Sequence, residues 1–137
     1  MAQWLMKTEP HDYSWERLLA DGETEWTGVR NFTAARNLRS MQQGESAFFY
    51  RSVVDPAIVG IMRVSQTAHR DPTDSTGKFV AVLVQPVRPL PREVTLKEIK
   101  ADPRFTDLAL VRQGRLSVMQ VSDEHWRLLC EMGGLTA

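Results

Sequence analysis

A single cysteine, Cys130, stands in a chain of 137 residues. One thiol excludes an internal disulfide, and no second Cys or His sits at zinc-ligand spacing from it. It reads as a buried structural thiol rather than a nucleophile, in a reducing, cytoplasmic setting. No apolar run approaches the roughly 18 residues that a bilayer crossing requires, so no membrane partner is expected. Residues 1–7 lack a basic stretch followed by an apolar one, which argues against a secretory signal. The eight glycines are scattered, and none opens a phosphate-binding loop. There is no Gly-x-Ser-x-Gly nucleophile elbow. His11, His69 and His125 stand apart in the chain. The expectation is therefore no metal, no cofactor, no catalytic constellation and no enzyme.

An excess of either charge is also missing. Seventeen Lys and Arg balance seventeen Asp and Glu, which excludes a strongly basic nucleic-acid domain. Neutrality conceals a local asymmetry. Residues 1–25 hold two basic and six acidic residues, whereas residues 26–70 hold six arginines and two acids. Lysine is scarce, with 4 against 13 arginines. The planar guanidinium suits bidentate contact with phosphates and base edges, so a local basic face is permitted. Mutual neutralisation of the two segments in the fold is the plainer alternative.

With 42% hydrophobic and 25% charged residues, the chain reads as one globular domain spanning 1–137. Residues 3–7 form an uninterrupted strand pattern that predicts burial. Ser14 predicts a helix N-cap, with Asp21-Gly22 ending that helix. Asn31 predicts the cap of a second helix reaching about Met41. Strands are predicted over 46–52 and 57–66, joined by Asp55-Pro56, with a polar loop over 67–78. A β-branched strand over 79–88 should break at Pro89-Leu90-Pro91. Thr95 with Glu98 makes a capping box for a short helix stopping at Asp102-Pro103. Arg115–Val121 reads as the last strand. Ser122 caps a final helix that ends at Gly133-Gly134. Without regular βαβ alternation, the class is α+β: a small, mostly antiparallel barrel or curled sheet of five or six strands, with short peripheral helices.

Aromatic residues cluster near the basic segment: Trp4, Trp26, Phe48, Phe49 and Tyr50. Each is either core or a stacking platform for a base. Trp26 is the least suited to a core, because it sits in the polar stretch Glu23–Asn31. Alternation over 46–52 puts Phe48, Tyr50 and Ser52 on one face and Phe49 and Arg51 on the other, so one face can line a cavity.

Four ordered blocks carry a family resemblance. They are Trp4-Leu5-Met6-Lys7-Thr8-Glu9-Pro10; Trp26-Thr27-Gly28-Val29-Arg30-Asn31-Phe32 with Ala35-Arg36-Asn37; Phe49-Tyr50-Arg51-Ser52; and Arg115-Leu116-Ser117-Val118. Together they resemble the EVE domain, from about residue 2 to residue 134. That family belongs to the PUA-like superfamily, with relatives in YTH and ASCH domains. The resemblance implies a PUA-like β-barrel flanked by helices. It also implies a reader of modified bases, chiefly modified cytosine in DNA, with RNA as the other candidate.

A reader needs aromatic walls for a flipped base, polar groups for its edge, and cations for flanking phosphates. The resemblance assigns stacking to Trp26 and polar contacts to Lys7, Thr8 and Glu9. Asn31 and Ser52 are further edge candidates, although Asn31 is equally a helix cap. Tyr50 is a wall or hydroxyl donor, Phe79 a second stacking ring, and Leu116 with Ser117 a floor. Arg30, Arg36 and Arg51 would meet phosphate or support the pocket. For Arg36, an ion pair with Glu9 or another N-terminal acid is the alternative.

The chain departs from the family pattern in places. Arg51 stands where many members carry His, Phe79 where the strand usually opens with Trp, and Met119-Gln120-Val121 where Gln-Pro-Val is usual. These changes bear on base identity more than on fold. Two other functions remain open: an enzyme of RNA or nucleotide metabolism using Glu9 or Lys7, and a binder of a small planar ligand such as a modified nucleoside. A monomer is expected.

Overall fold

The computed structural model describes residues 1–135. The elements run β1 (Gln3–Thr8), α1 (Trp15–Asp21), β2 (Thr24–Trp26), α2 (Phe32–Ser40), β3 (Ser46–Arg51), β4 (Ala57–Arg70) and β5 (Val80–Thr95). They continue through α3 (Leu96–Ala101), a 3-10 turn (Pro103–Phe105), α4 (Ala109–Arg112), β6 (Val118–Val121) and α5 (Asp123–Met132). No helix among the described residues is long and apolar enough to cross a membrane.

The helix ends form where the sequence predicts them. Ser14 Oγ accepts the Arg17 N–H at 3.1 Å, and Gly22 closes α1 in the left-handed region at φ +74°. Asn31 Oδ1 accepts the Ala34 N–H at 2.9 Å to start α2. Thr95 and Glu98 form the reciprocal capping box of α3. Ser122 Oγ accepts the His125 N–H at 3.1 Å to start α5.

The strands form one mixed sheet in the order β2-β5-β4-β3-β1-β6. Every pairing is antiparallel except β1 with β3, which is parallel. β1 lies inside the sheet, and Trp4, Leu5 and Met6 are all buried. A strand with neighbours on both edges and cover on both faces has no place for a polar residue, which explains its unbroken apolar run. Among the described residues the end strands β2 and β6 do not pair, so the sheet is not closed into a barrel.

Three strand boundaries differ from the sequence reading, those of β4, β5 and β6, and β6 starts at Val118 rather than Arg115. β5 runs through Pro86, Pro89 and Pro91 to Thr95 instead of breaking. Its pairing with β4 shifts register between Ile58 and Gly60 and again between Ile61 and Met62, next to the pairs Gly60–Pro89 and Met62–Pro86. Prolines are tolerated at such irregularities because the missing N–H falls where the ladder is already interrupted. β2 is absent from the sequence reading, since three residues carry too little periodicity. β4 also extends to Arg70, so part of the predicted loop is strand.

Both faces of β3 are covered. Phe48 stacks on Trp126 of α5, with centroids 3.8 Å apart. Phe49 on the opposite face meets Trp15 of α1 at 5.4 Å and Trp26 of β2 at 5.8 Å, both edge to face. Trp15 also lies against Gly60, where a Cβ would come within 2.5 Å of the indole. Buried Glu45 accepts from Trp4 Nε1 at 2.9 Å and from the N–H groups of Ala2 at 3.0 Å and Gln42 at 2.8 Å, which ties β1 to the turn before β3. The C-terminal ends of the parallel pair β1 and β3 thereby open together, at Lys7–Thr8 and Tyr50–Arg51.

Candidate nucleic-acid interface

A cleft of about 1000 Å³ opens at these strand ends. Its lining includes Lys7, Thr8 and Glu9 from β1 and the residue after it, Trp26 of β2, and Tyr50, Ser52 and Val53 at the end of β3. Leu96 and Lys100 of α3, with Leu110 and Val111 of α4, line it as well. A concave site of this size, part aromatic and part polar, suits a planar ligand held at its edge.

The strand ends are locked together. The Lys7 N–H donates to the Ser117 carbonyl at 2.9 Å, and the Ser52 N–H donates to the Thr8 carbonyl at 2.9 Å. Alternation along β3 sends Tyr50 and Ser52 to the cleft, while Arg51 turns away to an ion pair with Glu93 at 2.6 Å. Lys7 Nζ donates to the Gly114 carbonyl at 3.0 Å and lies 5.7 Å from the Tyr50 ring centroid. Burial, with the nearby charge of Lys100, lowers the Lys7 pKa. Burial pushes the Tyr50 phenol up to about 12, so it stays a neutral wall and hydroxyl donor.

Trp26 is only 7% exposed. It is at once a core residue, braced by Phe49, and a wall of the cleft. The indole is large enough to pack with one part in the core and to leave another part on the cleft wall.

The segment after Trp26 is held from a distance. Asp71, with its side chain fully buried, accepts the Gly28 N–H at 2.8 Å and Arg30 Nη1 at 3.0 Å on one carboxylate oxygen. Its other oxygen accepts from the Thr73 N–H at 2.7 Å and the Thr73 hydroxyl at 2.6 Å. Gly28 has φ +85°, a left-handed conformation that suits glycine. Arg30 also donates to the Thr73 hydroxyl at 2.9 Å and lies over the Phe79 ring at 5.3 Å. Arg30 is therefore a pocket-supporting residue that also lines the cleft.

The remaining sequence candidates lie elsewhere. Asn31 and Leu116 line a neighbouring depression of about 320 Å³, which shares Gly114 with the main cleft. The Asn31 side-chain oxygen is taken up by the α2 cap. Phe79 stacks on Phe32 at 5.2 Å, outside the cleft. Arg36 is exposed on α2, and no ion pair joins it to Glu9 among the described residues. Ser117 does line the cleft.

The sequence reading missed Asp71, Thr73 and Lys100. Asp71-Pro72-Thr73 followed by Asp74-Ser75-Thr76 is a doubled Asp-x-Thr pattern. Each aspartate accepts from the residue two positions on, a local turn signal. That Asp71 reaches back to Gly28 is a tertiary fact. Glu9, His11 and Asp12 also gather at the cleft mouth, with ligand-capable atoms within 4.8 Å of one another. His11 is mostly exposed, and the cluster faces water.

The charges around the cleft are balanced. Lys7, Arg17, Arg30 and Lys100 are set against Glu9, Asp12, Asp21 and Glu25. The parity of the whole chain is thus repeated at the site, which favours recognition of one group over a grip on a long polyanion.

A family model described as the EVE domain matches residues 2–132. The chain belongs to the EVE domain family. Human thymocyte nuclear protein 1 is 31% identical to it over a 159-residue alignment that covers 91% of this chain and 71% of the human protein. A Rhodopseudomonas palustris protein solved by NMR is 45% identical, with a TM-score of 0.93 and coverage of 100% of this chain and 96% of that one. The crystal structure of human thymocyte nuclear protein 1 with DNA containing 5-methylcytosine matches this EVE domain at a TM-score of 0.91 and 29% identity, covering 100% of both chains. The YTH domain of Zygosaccharomyces rouxii MRB1, solved with N6-methyladenosine RNA, shares the fold alone, at a TM-score of 0.63 and 15% identity over 99% of this chain and 88% of that one. The PUA-like class expected from the sequence is therefore the fold of this EVE domain, with its sheet left open.

Proposed function

We propose that this EVE domain is a non-catalytic reader of a modified nucleic-acid base, which it takes flipped into the cleft. The observation that carries the reading is Trp26. It is braced in the core by Phe49 while walling a cleft, and it stands in a domain whose human relative was solved with 5-methylcytosine DNA. Stacking a base on a rigid, pre-placed ring needs little ordering on binding. Lys7, Thr8, Glu9, Ser52 and the Tyr50 hydroxyl supply donors and acceptors for the base edge. Lys100 and Arg17 also line the cleft and are the cations this reading assigns to the flanking phosphates. The reading takes a modified cytosine in DNA as ligand, with the protein acting as a cytoplasmic monomer.

The test is a binding panel of oligonucleotides carrying 5-methylcytosine, N6-methyladenine or the plain bases, as DNA and as RNA. The wild-type protein should prefer one modified strand over its plain counterpart by tenfold or more. Trp26→Phe, which keeps a ring in the core, should lose most of that preference. Equal affinity across the panel would defeat the reading.

The balanced charge of the cleft favours one second reading, a site for a free modified nucleoside. Titration with the nucleoside alone separates the two. Affinity equal to that of the oligonucleotide, with no salt dependence, would select the free ligand.

A further inference from the structure

The turn between β3 and β4 holds two valines out in solvent at the rim of the cleft. Val53 is 70% exposed and Val54 57% exposed, and Val53 lines the cleft itself. The Val54 N–H donates to the Ser52 carbonyl at 2.9 Å across Val53, whose φ is +72°. That is a γ-turn with a positive central φ, a strained conformation that a β-branched residue rarely adopts. Asp55 follows at φ +47°.

Such a turn persists only where its surroundings dictate it. Here Arg51 does so. Its Nε donates to the carbonyls of Val54 and Asp55 at 3.1 Å each, and its Nη2 donates to the Asp55 carbonyl at 2.8 Å. The same guanidinium is anchored on both carboxylate oxygens of Glu93, at 3.0 and 2.6 Å. The foot of the turn is tied to β1 by the Ser52 N–H bond to the Thr8 carbonyl. A partly buried arginine, an ion pair and a strained backbone thus converge to present two largely exposed apolar side chains that stand outside the hydrophobic core.

Resting on the base-reader proposal, we infer that the Val53–Val54 tip is a wedge that enters the duplex and fills the gap left in the base stack when the modified base turns into the cleft. Flipping costs the unstacking of the base and leaves an apolar slot between its neighbours. An apolar side chain inserted between base steps recovers part of that cost. A wedge must be apolar, exposed before binding, stiff enough to need no ordering, and adjacent to the pocket that takes the base. The tip meets all four conditions. Val54, which stands outside the cleft lining, does not contribute to binding a single strand, which has no partner strand to hold open.

The experiment compares duplex and single-stranded oligonucleotides of one sequence, each with one 5-methylcytosine flanked by 2-aminopurine as a reporter of unstacking. The variant is Val54→Ser, which removes an apolar side chain at the tip without touching the cleft lining. Duplex affinity should fall fivefold or more, the 2-aminopurine signal on the duplex should drop, and single-strand affinity should stay within twofold. Val54→Leu should keep duplex binding. Unchanged duplex affinity in Val54→Ser, or an equal loss on both substrates, overturns the wedge. A wild-type protein that does not distinguish the modified single strand from the plain one overturns the base-reader proposal itself, and the wedge with it.

Discussion

Asp71 accepts the Gly28 N–H at 2.8 Å across 43 residues of sequence, and so fixes the segment that follows the cleft tryptophan. The carboxylate is fully buried and spends its remaining capacity on Arg30 and Thr73. Replacing it with asparagine keeps the shape but turns one acceptor into a donor facing other donors. Asp71→Asn should lower stability by about 2 kcal/mol, read as a shift of the urea midpoint at unchanged slope. It should also weaken modified-base binding, because Gly28 and Arg30 lose their anchor.

Acid should unlock the same loop. Burial pushes the Asp71 carboxyl up, but the donors on Thr73, Gly28 and Arg30 outweigh it and bring it down to about 2. Asp74 is held well below the usual carboxylate range, first by the Thr76 hydroxyl and N–H and then by the N–H groups of Phe79 and Lys78. A carboxyl with a depressed folded pKa contributes stability above its ordinary pKa and loses it as pH falls through the folded value. For Asp71 this amounts to about 2 kcal/mol, present above about pH 4 and lost toward pH 2. Urea midpoints of the wild-type protein should therefore fall across that window. Asp71→Asn should fall less, and an identical decline in the two proteins would rule this carboxylate out as a source.

Lys7 tests the charge at the cleft floor. Lys7→Met keeps the aliphatic stem over Tyr50 and removes the ammonium, so the fold should survive. Oligonucleotide affinity should drop while the slope of log affinity against log salt stays nearly unchanged, because Lys7 is assigned to the base edge and not to a phosphate. In the wild-type protein, binding should weaken on raising the pH earlier than an ordinary lysine would allow, since the Lys7 pKa is lowered.

Gly60 tests the packing behind the aromatic wall. A Cβ there would meet the Trp15 ring at 2.5 Å, and Trp15 is backed by Phe49, which also braces Trp26. Gly60→Ala should cost about 1–3 kcal/mol through overpacking. It should also change the near-ultraviolet circular dichroism of the tryptophans, while Gly114→Ala, which meets open space, should change neither.

What the sequence determined by itself is what short-range chemistry determines. The caps at Ser14, Asn31, Thr95 and Ser122 follow from hydroxyl and amide oxygens that accept the N–H three residues on, with the Glu98 carboxylate reaching back to the Thr95 N–H. The buried β1 follows from its unbroken apolar run, and the sides of Tyr50, Ser52 and Arg51 from strand alternation. The four motif blocks then named Lys7, Thr8, Trp26, Tyr50 and Ser52, which the fold brings to one cleft.

Only the tertiary structure decided the rest. It kept β5 paired through three prolines, left the sheet open between β2 and β6, drew Phe79 away from the cleft, brought Asp71 to Gly28 and brought Lys100 to the cleft. Each of these depends on a partner 20 or more residues away, set by strand register and by which buried donor needs an acceptor. A local pattern carries no trace of such a partner, because the free energy that selects it is gained only when the distant segments are packed together.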